Sequence, residues 1–126
     1  MRSIGHSLCV VTVALAVIPL PSGSDTDNPS CRSDPRVIAA CYAIHGRLSN
    51  WNGNPTERIW VIGTKRMLGL REGTMLPKVL EDRLHSFDQE VDGDFEFCPF
   101  TPQKPGVMQV GCVANVSNYQ IRERKQ

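Results

Sequence analysis

Between Cys41 and Leu70 the apolar and polar positions alternate with the period of a half-buried strand. Tyr42, Ile44 and Leu48 share one parity, with Gly46 among them, while His45 and Arg47 take the other. The stretch 49–55, SNWNGNP, concentrates Asn, Gly and Pro, which reach or preset turn conformations at low cost. Arg58-Ile59-Trp60-Val61-Ile62 is β-branched and aromatic and predicts a second strand. A run so apolar predicts a strand covered on both faces, with Trp60 largely buried, so that Trp60→Ala would cost about 3–5 kcal/mol. Gly63 to Arg66 turns the chain into Met67-Leu68-Gly69-Leu70, a third strand.

Past Leu70 the period changes. Leu76, Val79, Leu80, Leu84 and Phe87 recur at three- and four-residue spacing and predict one short helix over 77–86, with Pro77 at its first position and Thr74 capping from upstream. Asp92-Gly93-Asp94 reads as a turn, and Phe95-Glu96-Phe97-Cys98 as a strand with both Phe on one face. Residues 99–106, PFTPQKPG, exclude a ladder through their middle. Val107 to Val116 forms the last strand, with Met108, Val110, Cys112, Ala114 and Val116 on one parity. Residues 120–126 form a charged tail expected to fray.

The chain of 126 residues has room for one domain, over 37–119, and a leader. Leu8 to Leu20 is an apolar run behind Arg2; as a helix it would span roughly 20 Å, short of the roughly 30 Å of bilayer hydrocarbon but suited to a secretory signal. Pro19, Pro21, Ser22 and Ser24 place the end of that signal at residue 24. The rest is then an exported chain, periplasmic or extracellular, with no membrane span, opening on a polar arm over 25–36 that is tied down only if Cys31 is bridged. Without Arg2 the fourteen Lys and Arg become thirteen, matched by thirteen Asp and Glu, which argues against a nucleic-acid partner. The charges separate along the chain: 47–71 is basic apart from Glu57, and 81–96 is acidic apart from Arg83. Two solvated, mutually neutralising faces are the expected outcome.

Removing Cys9 with the leader leaves Cys31, Cys41, Cys98 and Cys112, an even number that reads as two disulfides in an oxidising compartment. Three pairings are open. Cys98 and Cys112 flank a Pro/Gly-rich turn, which favours Cys98–Cys112 with Cys31–Cys41 as the remainder.

Gly46 to Val61 follows the pattern G-R-L-x-x-x-N-G-x-P-x-x-x-I-x-V, and Asp92-Gly93-Asp94-Phe95-Glu96-Phe97 is similar to a D-x-x-G-x-F motif. In these two segments the chain resembles transthyretin-like and carboxypeptidase-regulatory-like modules, and as a whole it looks like small exported bacterial proteins. The resemblance implies a mainly β, prealbumin- or Ig-like antiparallel sandwich of seven strands, with the 77–86 helix as an insertion. Hydrolases on that fold use paired histidines, an arginine and a C-terminal Tyr-Arg-Gly-Ser. This chain offers His45 and Arg47 but ends Ile121-Arg122-Glu123-Arg124-Lys125-Gln126, so a small hydrolase using His45 and Arg47 is the alternative rather than the leading expectation.

Other chemistry is sparse. Cys41 and His45 lie about 13 Å apart on a strand, too far to share one ion, so no metal or cofactor is expected. Asp88, Glu90, Asp92 and Asp94 alternate and could face Ca²⁺ together, but an acidic edge that discourages strand pairing explains them more simply. Trp51 at a loop tip, with Arg58, Lys65 and Arg66 on nearby turns, is the candidate contact surface: an exposed indole beside cations can stack on a sugar ring or anchor a partner. The sequence therefore predicts a non-catalytic, disulfide-stabilised binding or structural module whose partner is an envelope protein or a carbohydrate.

Overall fold

The computed structural model describes residues 3, 5, 7, 9–16, 24–74, 76–84 and 87–124. It is mainly β, as the alternation requires. The elements run α1 (Pro29–Arg32), β1 (Tyr42–Asn50), β2 (Glu57–Val61), β3 (Met67–Leu70), α2 (Lys78–Arg83), β4 (Gln89–Pro99) and β5 (Gln109–Glu123). All five strands belong to one sheet that closes in the order β1-β2-β3-β5-β4. Every neighbouring pair is antiparallel except β3 with β5, which run parallel. A five-stranded closed barrel thus stands where the sequence predicts a seven-stranded sandwich. Its β3–β5 pair is parallel, and α2 lies in the chain between β3 and β4.

Closure depends on the two longest strands bending. Asp92-Gly93-Asp94 is not a turn, because β4 runs straight through it. Gly93 faces Gly46 of β1, and on its other side Asp92 pairs with Gln120 and Asp94 with Ser117, so two residues of β5 oppose Gly93 alone. Asn118 in that bulge takes a left-handed φ of 48°. A Cβ at Gly46 would sit 2.4 Å from Ile59 Cγ2, so the strands meet here only because the side chain is missing. A second bulge at Ala114 switches the parity of β5. Val113 and Val116 therefore enter the barrel, while Cys112 and Ala114 face outward. The single apolar parity expected for 107–116 breaks at this bulge.

Leu48, Ile59, Leu68, Val91, Phe95 and Phe97 fill the interior. Leu76 and Leu80 add the apolar side of α2 to the same core. The helix is shorter than predicted, and Pro77 holds its N-cap position rather than its first turn. The Thr74 hydroxyl donates to the Arg71 carbonyl and caps nothing; the Glu81 carboxylate instead accepts the Leu76 N–H at 2.9 Å. His85 and Ser86, the predicted end of the helix, lie outside the described residues.

The polar arm is tied down. Asn28 N–H donates to the Ala114 carbonyl, Val116 N–H to the Thr26 carbonyl, and the Asn28 amide to the Val113 carbonyl. Arg32 grips Glu96 through Nε and Nη2 at 2.7 and 2.9 Å and reaches Asp27 at 2.7 Å. The disulfides are Cys31–Cys112 and Cys41–Cys98, which corrects the expected pairing. Cys98 and Cys112 are indeed direct partners on β4 and β5. The arm crosses them, however, and brings Cys31 and Cys41 over the same spot. With Phe100, Ala114 and Val37 the bridges make a second small core outside the barrel.

No edge remains in a closed barrel, so the acidic segment has another use. β4 is paired on both sides, and its acids find partners: Asp92 meets Arg47 and Arg122, Glu96 meets Arg32, Asp94 lies against the His45 ring, and Glu90 accepts from Ser49. The tail is ordered as far as Arg124, with Arg122 and Glu123 inside β5. In the apolar stretch near the start of the chain, Val10, Val11, Val13 and Leu15 are exposed and carry no secondary structure. Among the described residues no helix is long and apolar enough to cross a membrane.

Candidate functional site

With Leu48, Ile59 and Leu68 pointing inward, their neighbours on β1, β2 and β3 must point out. The register then sets two rows across the barrel wall. Asp92, Arg47, Trp60 and Met67 form one; Glu90, Ser49, Arg58 and Gly69 form the next. Trp60 therefore stands on the outer face, only partly buried, and the expectation of a strand covered on both sides fails. Trp51, on the β1–β2 loop, comes down beside these rows. Together Arg47, Ser49, Trp51, Trp60, Met67, Glu90 and Arg124 line a groove of about 290 Å³.

Each indole in this groove lies under arginine. The Arg47 guanidinium is 5.4 Å from the Trp60 ring centre, and Arg124 and Arg58 are 4.6 and 5.9 Å from that of Trp51. Trp60 is held in place by its Nε1–H, which donates to the Thr64 carbonyl at 2.7 Å. Arg47 is fixed through Nε and Nη2 on Asp92, at 2.7 and 3.1 Å. Those bonds to Arg47, with help from Arg122, hold the Asp92 carboxyl below the usual carboxylate range. Arg124 donates to the Asn50 carbonyl at 3.0 Å, which locks the end of β5 over the loop. In the groove wall Ser49 donates to the Glu90 carboxylate at 2.5 Å, and both residues are buried.

A wider cleft of about 830 Å³ opens between the β2–β3 turn and the β4–β5 connection. Lys65, Arg66, Gln103, Lys104, Met108 and Gln109 are among its lining residues, and Met67 lines both cavities. Arg66 Nη2 donates to the Tyr42 hydroxyl at 2.7 Å and to Gln109 Oε1 at 2.5 Å. The Gln109 side-chain amide in turn donates to the Thr101 carbonyl at 3.0 Å.

The predicted contact residues thus divide. Trp51 lines the small groove and Arg58 stands against its ring without lining the groove, while Lys65 and Arg66 lie in the wide cleft. The sequence reading assigned Trp60 to the core and Glu90 to an acidic edge, and gave Met67 and Arg124 no role in a site. The polar–apolar–aromatic order Arg58-Ile59-Trp60 carried the signal for Trp60, had the strand been read as covered on one side. His45 Nδ1 lies 2.9 Å from Asp94, whose carboxyl is held below its usual value chiefly by the Asn118 amide and then by His45. His45 stands exposed on the strand and lines neither cavity. Among the described residues the sulfurs of Cys31, Cys98 and Cys112 lie within 4.8 Å of one another, but all are spent in disulfides and offer a metal nothing.

No family model, curated protein or solved structure matches this chain.

Proposed function

We propose that the protein is an exported, non-catalytic binding module and that the groove between Trp51 and Trp60 holds a sugar ring. The observation that carries this reading is the groove's composition: two indoles under arginines, next to a buried Ser49–Glu90 pair. Indole faces suit the apolar face of a pyranose, while arginine and carboxylate groups suit its hydroxyls. The closed five-stranded barrel is similar to oligonucleotide/oligosaccharide-binding (OB) barrels, and by analogy these present this outer wall and the β1–β2 loop to oligomeric ligands. Two disulfides suit an oxidising location, and the apolar run Leu8–Leu20 is read as the signal that takes the chain there. A hydrolase using His45 and Arg47 is the weaker reading. Arg47 is committed to Asp92, and His45 lies on an open strand.

The test is electrophoresis of the native protein through gels containing immobilised neutral and acidic polysaccharides. At least one polysaccharide should retard it, and Trp51→Ala or Trp60→Ala should abolish the retardation while His45→Ala leaves it intact. Retardation that survives both tryptophan substitutions, or release of reducing ends that depends on His45, would overturn the proposal.

A further inference from the structure

We propose that the wide cleft beside the tryptophan groove is a second subsite for the same ligand, and that this ligand is an acidic oligosaccharide carrying carboxylate or sulfate groups. The inference rests on the carbohydrate reading above and adds the charge of the chain.

Continuity comes first. Met67 lines both cavities, and Trp60 and Met67 are register partners on adjacent strands, so the cleft adjoins the groove at Met67, within reach of a chain stacked on Trp60. Charge comes second. The cleft presents Lys65, Arg66 and Lys104, and neither Asp nor Glu is among its lining residues. Among the other arginines, Arg58 and Arg124 are held by backbone carbonyls, while Arg47, Arg32 and Arg36 are matched by the acids Asp92, Glu96 and Asp34. Arg66 is held by two neutral oxygens, the Tyr42 hydroxyl and Gln109 Oε1, with the Gln109 side chain itself buried and anchored on Thr101. Neutral partners orient a guanidinium without neutralising it, so its charge remains available to an anion.

The same geometry favours a glycan over a single-stranded nucleic acid. The buried Ser49–Glu90 pair lies in the wall of the stacking groove, where its oxygens can accept hydrogen bonds from the many hydroxyls of a sugar ring. Basic and acidic side chains are also nearly balanced over the whole chain, at fourteen and thirteen.

Calorimetric titration of the purified, disulfide-bonded protein decides it. The acidic probes are oligogalacturonate, hyaluronan and heparin fragments; the neutral probes are cellohexaose, chitohexaose and maltohexaose; a twelve-nucleotide oligothymidylate serves as a non-sugar polyanion. One acidic probe should bind about tenfold tighter than every neutral one at low salt, with the gap closing as salt rises. A uronate probe or the sulfated probe taking that place identifies the anionic group. Lys65→Gln with Lys104→Gln, both exposed positions, should erase the gap by weakening the acidic probe about tenfold while leaving neutral binding as it was. Equal affinity for acidic and neutral sugars, or a gap that survives the double substitution, overturns this inference and leaves the carbohydrate reading standing. Absence of binding to any sugar, or tightest binding to the oligothymidylate, overturns both.

Discussion

Two apolar surfaces lie on the outside of this barrel, and the chain treats them differently. Over Cys98, Cys112 and Ala114 it folds its own N-terminal arm, seals the contact with two disulfides and leaves Cys98 and Ala114 with no exposure. Over Trp60 and Trp51 it lays only arginine side chains, and Trp51 stays 37% exposed. Covalent closure marks the first surface as scaffold. The arginines over the indoles are held by hydrogen bonds, Arg47 on Asp92 and Arg124 on the Asn50 carbonyl, with no covalent closure, which leaves the second surface open to a ligand at its exposed edge. The difference teaches where to look for function in a barrel whose interior is fully packed.

The largest effect should come from the closed surface. The bridged residues are 81 and 57 positions apart, so each disulfide removes about 4–5 kcal/mol of unfolded-state freedom in the chain-entropy model. Replacing Cys31 and Cys112 by Ser should lower the urea midpoint far more than any substitution in the tryptophan groove. A midpoint within error of the parent would show that the arm docks without help from its bridge.

Next comes a contrast within one strand. Ile59 is fully buried in the barrel, and Ile59→Ala should cost about 2–5 kcal/mol. Trp60→Ala, one residue on but facing out, should cost about 1 kcal/mol, the size of its hydrogen bond to Thr64. Paired urea melts check both; equal losses would mean that the indole is scaffold after all.

That contrast also shows what could be read before folding. Strand positions, the loop at Trp51 and the turn at Gly63 follow from local chemistry, and β1 to β3 fall where the alternation places them. The closed barrel did not follow, because it depends on bulges at Gly93 and Ala114 that set parity only when β4 and β5 are paired. The true disulfides were hidden for the same reason. Cys98 and Cys112 are neighbours, as the Pro/Gly turn suggests, but the arm that captures them carries no sequence mark of where it docks. Of the site, Trp51 and Arg58 were legible as a loop aromatic and a nearby cation. Trp60 was misread because β-branched neighbours make a one-sided strand look two-sided, and Arg124 because a charged terminus gives no hint that it ends over Trp51.

A smaller effect concerns acid. Asp92 and Glu96 are held below their ordinary values of 3.8 and 4.5, chiefly by hydrogen bonds from Arg47 and Arg32. Groups depressed in the fold stabilise it fully above their unfolded values, and that contribution is lost as pH falls through the folded ones. Stability should therefore hold above about pH 4.5 and decline below it. Asp92→Asn should flatten that acid limb at a cost of about 1 kcal/mol at neutral pH, measured by melts at a series of pH values; an unchanged limb would remove Asp92 from the account.

The smallest effect has the opposite sign. Burial, and then the Glu81 charge, push the Glu57 carboxyl up, so its ionised form is disfavoured in the fold. Its cost is present at neutral pH and relieved as pH falls through the raised value. Glu57→Gln should raise the melting temperature slightly at pH 7 and leave it unchanged at low pH; a loss at pH 7 would mean that Glu57 makes a favourable contact.

The chain has only two tryptophans, and both line the proposed groove. Intrinsic fluorescence therefore reports on that site alone. Titrating the native protein with whichever oligosaccharide is retained most strongly should produce a saturable change in emission, with the same midpoint as calorimetry. That change should disappear in Trp60→Ala while the fold, followed by far-UV circular dichroism, stays intact. Saturable binding by calorimetry with no change in emission would place the ligand elsewhere on the barrel and contradict the groove as the binding site.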